Sequence, residues 1–436
     1  MKKVKSRAVS TLLIALALLC GLALYVVRYV RDGADWAAFS ANGAVYQNGK
    51  LAVGTLTDRN GLLLAYADGD THVYAEDART RESCLHAVGD YDGYIGGGAL
   101  ALFEKELGGY DLVNGSYDAH GHGGTVALSI DAKLCETAYD ALAGRSGAVV
   151  LVNYKTGELL CSVSTPGYDP AAANESVPDG AYVNRVTGAA YTPGSVFKLV
   201  TLAAAIENIP DLNSRRFWCE GGTTVDGDYV KCTGSHGSQT VEQAFANSCN
   251  CAFSELSLEL GGELLRQYAE RYGLTDAGTL CGASTAAGRF DVSPDGTSAL
   301  AWSGIGQSTD LVSPYAMLRL VSAVASDGTV QEPTLLRGGH SGRTRLMKAS
   351  TAEALKADMR YNVVNTYGEW NFPDLPLCAK SGTAEVGDGS SHAWFTGFLD
   401  DSAHPYAFVV IIEHGGGGLA AAGPAANAVL HAAVQD

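Results

Sequence analysis

Ser195 and Lys198 form the first pair of residues that could do chemistry together. They stand three apart at the start of a stretch, Val196 to Asn208, that contains no Gly or Pro and is rich in Leu and Ala. Residues three apart share one helix face, so the Lys198 side chain can reach the Ser195 hydroxyl. A serine hydroxyl is a weak nucleophile, and a partly desolvated lysine can act as its base. The pair indicates an acyl-accepting nucleophile, although most Ser/Lys pairs at this spacing are surface residues.

A second motif, Ser248-Cys249-Asn250, follows further along the chain. It supplies another hydroxyl and an amide, which could relay protons and hold a substrate carbonyl. Such a cluster also occurs as an ordinary helix N-cap. Its value as a site motif therefore depends on the other motifs.

A third motif, Lys380-Ser381-Gly382-Thr383, lies in a predicted strand that begins at Leu377. Alternate side chains share a face of a strand, so Ser381 and Thr383 point the same way. One basic and two hydroxyl groups suit a substrate carboxylate, and Gly382 would let a substrate backbone lie close. In this order the three motifs predict an acyl-serine enzyme, since S-x-x-K with a K-T-G strand is typical of penicillin-binding proteins and class A β-lactamases.

The elements that must position these motifs are predicted from apolar periodicity and from Gly and Pro breaks. Strands are predicted early and late in the domain, with helices between them, so one antiparallel sheet is assembled from both ends of the chain in an α+β fold. The predicted strands are 147–153, 158–164, 377–385, 393–398 and 406–413. The predicted helices are 131–142, 196–208, 240–260, 263–272, 314–326, 349–359 and 424–434.

The N-terminus carries a basic segment followed by an uncharged stretch from Ala8 to Val27. That length suffices for a membrane-spanning helix, and the bulky residues that close it favour an uncleaved anchor over a cleaved signal peptide. Lysines and arginine before the stretch favour a cytoplasmic N-terminus, although Arg28 and Arg31 on the far side weaken that bias. The rest of the chain is expected outside the cytoplasmic membrane.

Net charge and cysteine content limit the binding partners, disulfides and metal sites that are expected of the chain. The net charge of −17 argues against nucleic acid as a partner, because phosphate binding needs a basic surface. The ten cysteines show no disulfide framework, although Cys219 and Cys232 bracket a Gly-rich turn and could pair. Cys249 and Cys251 form a C-x-C, but no second pair with zinc spacing stands nearby, so no metal site is predicted.

Other passages join the three motifs in a consistent series. They are Gly147-Ala148-Val149-Val150, Ser164-Thr165-Pro166-Gly167-Tyr168-Asp169-Pro170, Asn184-Arg185, Tyr191-Thr192-Pro193-Gly194, His236-Gly237, Gly304-Ile305-Gly306-Gln307 and Ala393-Trp394-Phe395-Thr396-Gly397-Phe398. With them the chain, from about Thr125 onward, resembles the class B penicillin-binding proteins, the monofunctional D,D-transpeptidases of peptidoglycan synthesis. The resemblance implies a penicillin-binding/serine β-lactamase-like transpeptidase domain, with an antiparallel sheet flanked by helices and an all-helical subdomain.

The same resemblance implies a mechanism without a cofactor. Ser195 attacks the penultimate D-Ala carbonyl of a stem peptide, D-Ala leaves, and an amine of a neighbouring strand takes the acyl group. Lys198 is the implied base, Ser248 the proton shuttle and Asn250 the residue that orients the substrate amide. β-Lactams are expected to acylate Ser195 in the same way.

The implied binding residues lie mostly on the late strand. Lys380, Ser381 and Thr383 would bind the terminal carboxylate, and the N–H groups of Ser195 and Thr383 would form the oxyanion hole. Ser381 stands where many relatives have threonine, which keeps the hydroxyl. A separate glycosyltransferase is expected as a partner, because the segment before Thr125 is too short for a second enzyme domain.

Three segments are predicted: a cytoplasmic tail and membrane anchor over 1–31, a short pedestal over 32–123, and the transpeptidase domain over 124–436. A Gly/His-rich linker at 120–124 separates the last two. A β-lactam sensor or a penicillin hydrolase would share the same serine and lysines, but efficient hydrolysis needs a further base to activate water. A catalytically idle scaffold is disfavoured, because every motif residue is present.

Overall fold

A computed structural model describes residues 2–38, 42–43, 45–117, 123–172 and 176–435. The chain begins with helix α1 (Lys2–Ala37), whose apolar side chains are largely exposed. Among the described residues it is the one helix long and apolar enough to cross a membrane, judged by length and composition. Most of the predicted Gly/His-rich linker, including His120 and His122, lies outside the described residues.

A small mixed region follows α1. Its largest sheet has the strand order β5-β4-β3-β8, in which β8 runs parallel to β3. The strands are β1 (Tyr46–Gln47), β2 (Lys50–Leu51), β3 (Val53–Thr57), β4 (Leu63–Asp68), β5 (Thr71–Tyr74), β6 (Tyr110–Asp111), β7 (Ser116–Tyr117) and β8 (Thr125–Ala127). The helices are α2 (Ala78–Val88), α3 (Ala99–Leu102) and α4 (Glu104–Gly108).

The main sheet has five strands in the order β10-β9-β21-β20-β19, and all neighbours are antiparallel. These strands are β9 (Gly147–Asn153), β10 (Leu159–Thr165), β19 (Leu377–Glu385), β20 (Ser391–Leu399) and β21 (Tyr406–Ile412). The sheet therefore joins an early hairpin to a late one through the central strand β21. This arrangement confirms the predicted α+β sheet built from both ends of the chain.

Burial on both faces explains the composition of the central strands. In β9 and β21 nearly every residue is buried, and both read as continuous apolar runs instead of alternating patterns. Removing each such Val, Leu or Ile side chain from water contributes about 1.5–3 kcal/mol. Helices α5 (Ala132–Leu142) and α13 (Gly418–Gln435) pack on one face of this sheet, and α11 (Pro314–Ala325) and α12 (Ala349–Asn362) pack on the other.

The segment between the two hairpins is mainly helical. It contains α6 (Lys198–Asn208), α7 (Val241–Ala246), α8 (Asn250–Leu260), α9 (Gly262–Arg271) and α10 (Ser298–Ser303). Short strands accompany these helices: β11 (Phe217–Cys219), β12 (Gly222–Val225), β13 (Asp228–Lys231), β14 (Gly237–Gln239), β15 (Thr279–Leu280), β16 (Ala283–Ser284), β17 (Thr329–Gln331) and β18 (Arg343–Arg345). The pairs β11–β14 and β12–β13 form two small sheets beside α8.

The predicted continuous helix from Thr240 to Leu260 is wrong. Thr240 does cap a helix, in a capping box with Gln243, but α7 ends at Ala246 and α8 begins only at Asn250. Between them Ser248 has a φ of 52°, in the left-handed region that interrupts a helix. The break turns the Ser248 and Asn250 side chains toward α6, where their partners lie.

The C-terminal helix is also longer than predicted. It starts at Gly418 and not at Pro424, which lies inside it. Gly418 sits against the sheet, since a Cβ there would lie 2.3 Å from the carbonyl oxygen of Gly382. The helix therefore begins where Gly418 packs closely on the strands, before Pro424.

The N-terminal region is attached to the main sheet region at several points. Arg81 of α2 donates two hydrogen bonds to the Asp169 carboxylate, at 2.7 and 2.6 Å. The buried His86 ring contacts the carbonyl of Ala181 at 2.8 Å. Strand β8, which the sequence assigns to the C-terminal domain, completes the N-terminal sheet through β3.

Candidate active site

Ser195 lies in a single 3-10 turn, Gly194–Phe197, that leads directly into α6. The turn is held in place by its neighbours: the Trp394 indole donates to the Thr192 carbonyl at 2.9 Å, and the Gly194 N–H donates to the Gly306 carbonyl at 2.8 Å. Lys198, the first residue of α6, is fully buried. The predicted helix spacing brings the two side chains together, with Lys198 Nζ 3.1 Å from Ser195 Oγ.

Lys198 also contacts the second motif. Its Nζ lies 3.1 Å from Ser248 Oγ, 2.6 Å from the Ser248 carbonyl oxygen and 2.7 Å from Asn250 Oδ1. Asn250 in turn donates from Nδ2 to the Lys231 carbonyl at 2.8 Å. One amine thus joins the Ser195 hydroxyl to both polar groups of the second motif.

Burial controls the electrostatics of this amine. Desolvation is the main cause that lowers the pKa of Lys198 to about 7, and its Nζ lies 5.5 Å from the centre of the Phe253 ring. An amine with such a pKa has a large neutral fraction near physiological pH, and the neutral amine can accept a proton. The geometry and the pKa therefore both suit a general base for Ser195.

Lys380 enters the same cluster from strand β19. Its Nζ lies 3.0 Å from Ser248 Oγ, so Ser248 is shared by two lysines. Burial, and then repulsion from Lys198, lower the pKa of Lys380 well below its usual value. The three predicted motifs thus meet at the Ser248 hydroxyl, which can exchange protons with either lysine amine.

The outward face of β19 carries Ser381 and Thr383. Ser381 is held by Tyr367, whose hydroxyl donates to Ser381 Oγ at 2.8 Å and accepts from the Ser381 N–H at 2.7 Å. Thr383 is exposed, and its hydroxyl accepts from the Gly418 N–H at 3.1 Å. The sequence reading missed Tyr367, which is buried in a π-helical turn, because no short motif contains it.

Gly382 faces the nucleophile's own segment. A Cβ at this position would lie 2.8 Å from the Pro193 carbonyl oxygen and 3.0 Å from Val196 Cγ1. Gly194, with a φ of 56°, approaches the carbonyl of Thr383 in the same way. The sequence reading gave Gly382 the role of making room for substrate backbone, whereas the structure places the turn that carries Ser195 against it.

We expect Gly382→Ala to lower the free energy of unfolding by about 1–3 kcal/mol, because the added methyl must push the Ser195 turn away from β19. Thermal and urea unfolding of the purified chain would measure the change. Gly387→Ala is the matched control, since Gly387 lies just beyond the same strand and a Cβ there meets nothing within 4 Å. Equal stability of the two variants would contradict the tight approach of the Ser195 turn to β19.

A cluster of sulfur and imidazole ligands lies directly behind the second motif. Cys219, Cys232, His236 and Cys249 have ligand atoms that all lie within 4.8 Å of one another. Every cysteine is a free thiol in the structure, including Cys219 and Cys232, which the sequence analysis considered as a pair. The C-x-C spacing of Cys249 and Cys251 predicts no metal site, whereas folding brings ligands from three separate segments of the chain together.

The chain matches known proteins over most of its length. Residues 147–433 match the penicillin binding protein transpeptidase domain. The peptidoglycan D,D-transpeptidase PbpA of Mycobacterium tuberculosis is 28% identical over 361 residues, which cover 72% of this chain and 73% of that protein. The matched domain contains all three predicted motifs.

Solved structures agree with the sequence matches. The crystal structure of PBPA from Mycobacterium tuberculosis is similar with a TM-score of 0.76 at 26% identity, covering 88% of this chain and 100% of that chain. The penicillin G acyl-enzyme complex of penicillin-binding protein A from the same organism has a TM-score of 0.72 at 26% identity, covering 88% and 99%. The overall fold is therefore one that forms a covalent acyl-enzyme with a β-lactam in a related protein.

Proposed function

Because the chain belongs to the penicillin-binding proteins, in their class B branch, we propose that it is a serine D,D-transpeptidase that cross-links peptidoglycan. The observation that carries this proposal is the 3.1 Å contact between the buried amine of Lys198 and the hydroxyl of Ser195. The donor substrate is a stem peptide that ends in D-Ala-D-Ala. β-Lactams react with the same serine.

In the acylation step, neutral Lys198 accepts the Ser195 proton while Oγ attacks the penultimate D-Ala carbonyl. The N–H groups of Ser195 and Thr383 stabilise the resulting oxyanion. Ser248, within hydrogen-bond distance of both Lys198 and Lys380, passes a proton to the amine of the departing D-Ala. The peptide bond is broken, an ester to Ser195 forms, and free D-Ala leaves.

In the second step, an amine of a neighbouring strand attacks the ester carbonyl. The same groups act in reverse: the amine loses a proton, and Ser195 Oγ regains one from Lys198. A new peptide bond forms, and the free enzyme is restored. Asn250 orients the substrate amide, and Lys380, Ser381 and Thr383 bind the terminal carboxylate.

The contacts of the site favour transfer over hydrolysis. The hydrogen-bond partners of Lys198 and Lys380 within the described ranges are hydroxyl, amide and carbonyl oxygens. None is a carboxylate, which is the usual base that activates water against an acyl-enzyme. The two lysines therefore hold no carboxylate beside the acyl-enzyme, and this supports a long-lived acyl-enzyme that waits for an amine.

Helix α1 supports a proposal for the location of the protein. We propose that residues 1–31 form the cytoplasmic tail and single membrane anchor, residues 32–123 a pedestal, and residues 124–436 the extracytoplasmic catalytic domain. The exposed apolar surface of α1 and its length support the anchor. A separate glycosyltransferase would supply the glycan strands that this enzyme cross-links.

The proposed activity is tested with the full-length chain in detergent and un-cross-linked glycan strands that carry pentapeptide stems. We expect released D-Ala and cross-linked stem dimers in equal amounts, together with a penicillin adduct that lasts many minutes. D-Ala release without dimers, or an adduct that clears within seconds, would instead identify a hydrolase. Penicillin-pretreated enzyme is the control, because blocking Ser195 should stop both products.

A further inference from the structure

We propose that Cys219, Cys232, His236 and Cys249 bind one structural zinc ion directly behind the catalytic Ser248-Cys249-Asn250 segment. Their ligand atoms all lie within 4.8 Å of one another, and the three cysteines are buried. Nothing in the transpeptidase reaction uses these four side chains. The proposal concerns the chain's own ligands and does not depend on which substrate Ser195 attacks.

Two distances within the cluster match the edges of a tetrahedral zinc site. With zinc–sulfur bonds of about 2.3 Å and zinc–nitrogen bonds of about 2.0–2.1 Å, tetrahedral angles place two sulfurs about 3.8 Å apart, and a sulfur and a nitrogen about 3.6 Å apart. In the structure Cys232 Sγ lies 3.8 Å from Cys249 Sγ and 3.6 Å from His236 Nδ1. Two edges of the tetrahedron are therefore already formed.

Residues at the ends of four separate elements supply the ligands. Cys219 ends β11, Cys232 follows β13, and Cys249 is the N-cap of α8. His236 immediately precedes β14, which pairs with β11, and its N–H donates to the Cys219 carbonyl at 3.1 Å. The ligands thus come from two small paired sheets and a helix start that hold their positions by backbone hydrogen bonds, as a structural metal site requires.

The donor set selects the metal. Three thiolates and one imidazole in a tetrahedral arrangement form the Cys3His set of structural zinc sites, and a full set of four protein ligands leaves no open position for chemistry. The surroundings also suit a thiolate, since the Asn250 N–H donates to Cys232 Sγ at 3.2 Å. Zinc at this site would be structural.

A disulfide is the competing fate of these thiols. Cys232 and Cys249 are not bonded at 3.8 Å, and any one disulfide among the three ligand cysteines would leave an odd thiol and the imidazole. Cys251, which is also buried, lies at the start of α8, two residues after Cys249, and is the candidate partner for such a leftover thiol. The zinc site uses all four clustered ligands at once, which a disulfide cannot do.

The position of the site suggests what zinc does for catalysis. Cys249 stands between Ser248 and Asn250, and Asn250 is further tied to Cys232 and Lys231 by its N–H and its Nδ2. A metal at Cys249 would fix the left-handed backbone at Ser248 and hold both side chains against Lys198. The four ligands are therefore positioning residues for the second motif.

The decisive measurement is metal content. Full-length protein without a histidine tag, purified in detergent and dialysed against a weak chelator, should contain about one zinc ion per chain. Exchange into Co²⁺ under reducing conditions should give the thiolate-to-cobalt charge transfer and the intense visible bands of a tetrahedral site. Zinc-free protein that takes up no cobalt would overturn the proposal, as would mass spectrometry that finds Cys219, Cys232 or Cys249 in a disulfide.

Variants separate the ligands from the other thiols. Cys232→Ser and His236→Ala should each weaken zinc affinity by about 100-fold or more in chelator competition. His236 is only partly buried, so His236→Ala serves if Cys232→Ser fails to fold. Cys281→Ser is the matched control, since Cys281 lies elsewhere against Thr334 and should leave the zinc content unchanged.

The positioning role has its own readout. His236→Ala should slow penicillin acylation with little change in penicillin binding before the covalent step, and added zinc should restore part of the rate. A variant that loses zinc yet acylates at the full rate would show that the metal does not position Ser248 and Asn250. Retention of full zinc by both ligand variants would overturn the site itself.

Discussion

A Ser195→Ala protein is expected to lose covalent labelling by a fluorescent penicillin completely. In the proposed mechanism the hydroxyl of Ser195 forms the ester, whereas Ser248, whose hydroxyl also contacts Lys198 Nζ, is shared with Lys380 and serves as the proton shuttle. Labelling followed by gel electrophoresis measures the effect directly. Alanine at this partly exposed position creates no large cavity, so the variant should remain folded.

Ser390→Ala is the matched control for this experiment. Ser390 is another serine near the end of β19, but its hydroxyl donates to Asp388 and not to either buried lysine. Its variant should label at the full rate. Persistent labelling of the Ser195→Ala protein would assign the acyl group to a different residue and remove the basis of the proposed mechanism.

Replacement of Lys198 with methionine is expected to slow acylation by about 10²–10⁴-fold, the usual contribution of a positioned general base. Methionine keeps the length and volume of the buried side chain, so loss of the amine is separated from loss of packing. Time courses of penicillin labelling at several concentrations would separate binding from the chemical step. Lys133→Met, on the exposed face of α5, is the control that should change neither. An unchanged acylation rate would give the base role to another group.

The role of Lys198 as the base determines how the acylation rate of the wild-type protein depends on pH. The pKa of Lys198 is lowered to about 7, and only the neutral amine accepts a proton, so acylation should rise with pH and level off above about 7. His392, whose pKa burial lowers, is a second titrating group to be compared. A His392→Asn protein should keep the same profile, whereas a flat profile would mean that His392 and not Lys198 controls the rate.

Much of the candidate site can be predicted from short motifs because each motif is local. The Ser195–Lys198 spacing works through one helical turn, and Ser381 with Thr383 works through one strand, so the sequence alone orients these side chains. Sequence patterns do not predict features that depend on the tertiary fold. The apolar pattern continues across α7 and α8 and predicts one helix, whereas the left-handed backbone of Ser248 breaks it into two.

Contacts between distant segments account for the other differences. Tyr367 supports Ser381 from a π-helical turn whose sequence has no recognisable pattern. The cysteine and histidine cluster combines ligands from two small paired sheets and a helix start, so a spacing rule applied to one segment cannot find it. A strand pattern does not tell which neighbouring segment approaches Gly382, so its contact with the turn that carries Ser195 is not predictable from the sequence, and its role toward a substrate stays a prediction.

The strand order of the main sheet determines when activity can arise as the chain is synthesised. Strand β21 lies between β9 and β20, so the early hairpin has no central neighbour until residues beyond Tyr406 have emerged. Lys380 and the β19 face are likewise among the last parts to appear, long after Ser195. Pairings so far apart in sequence form slowly. A chain that ends before β19 would carry Ser195 without Lys380, Ser381 and Thr383, so we expect incomplete copies to be unable to acylate and reactivity to appear only when nearly the whole chain is present.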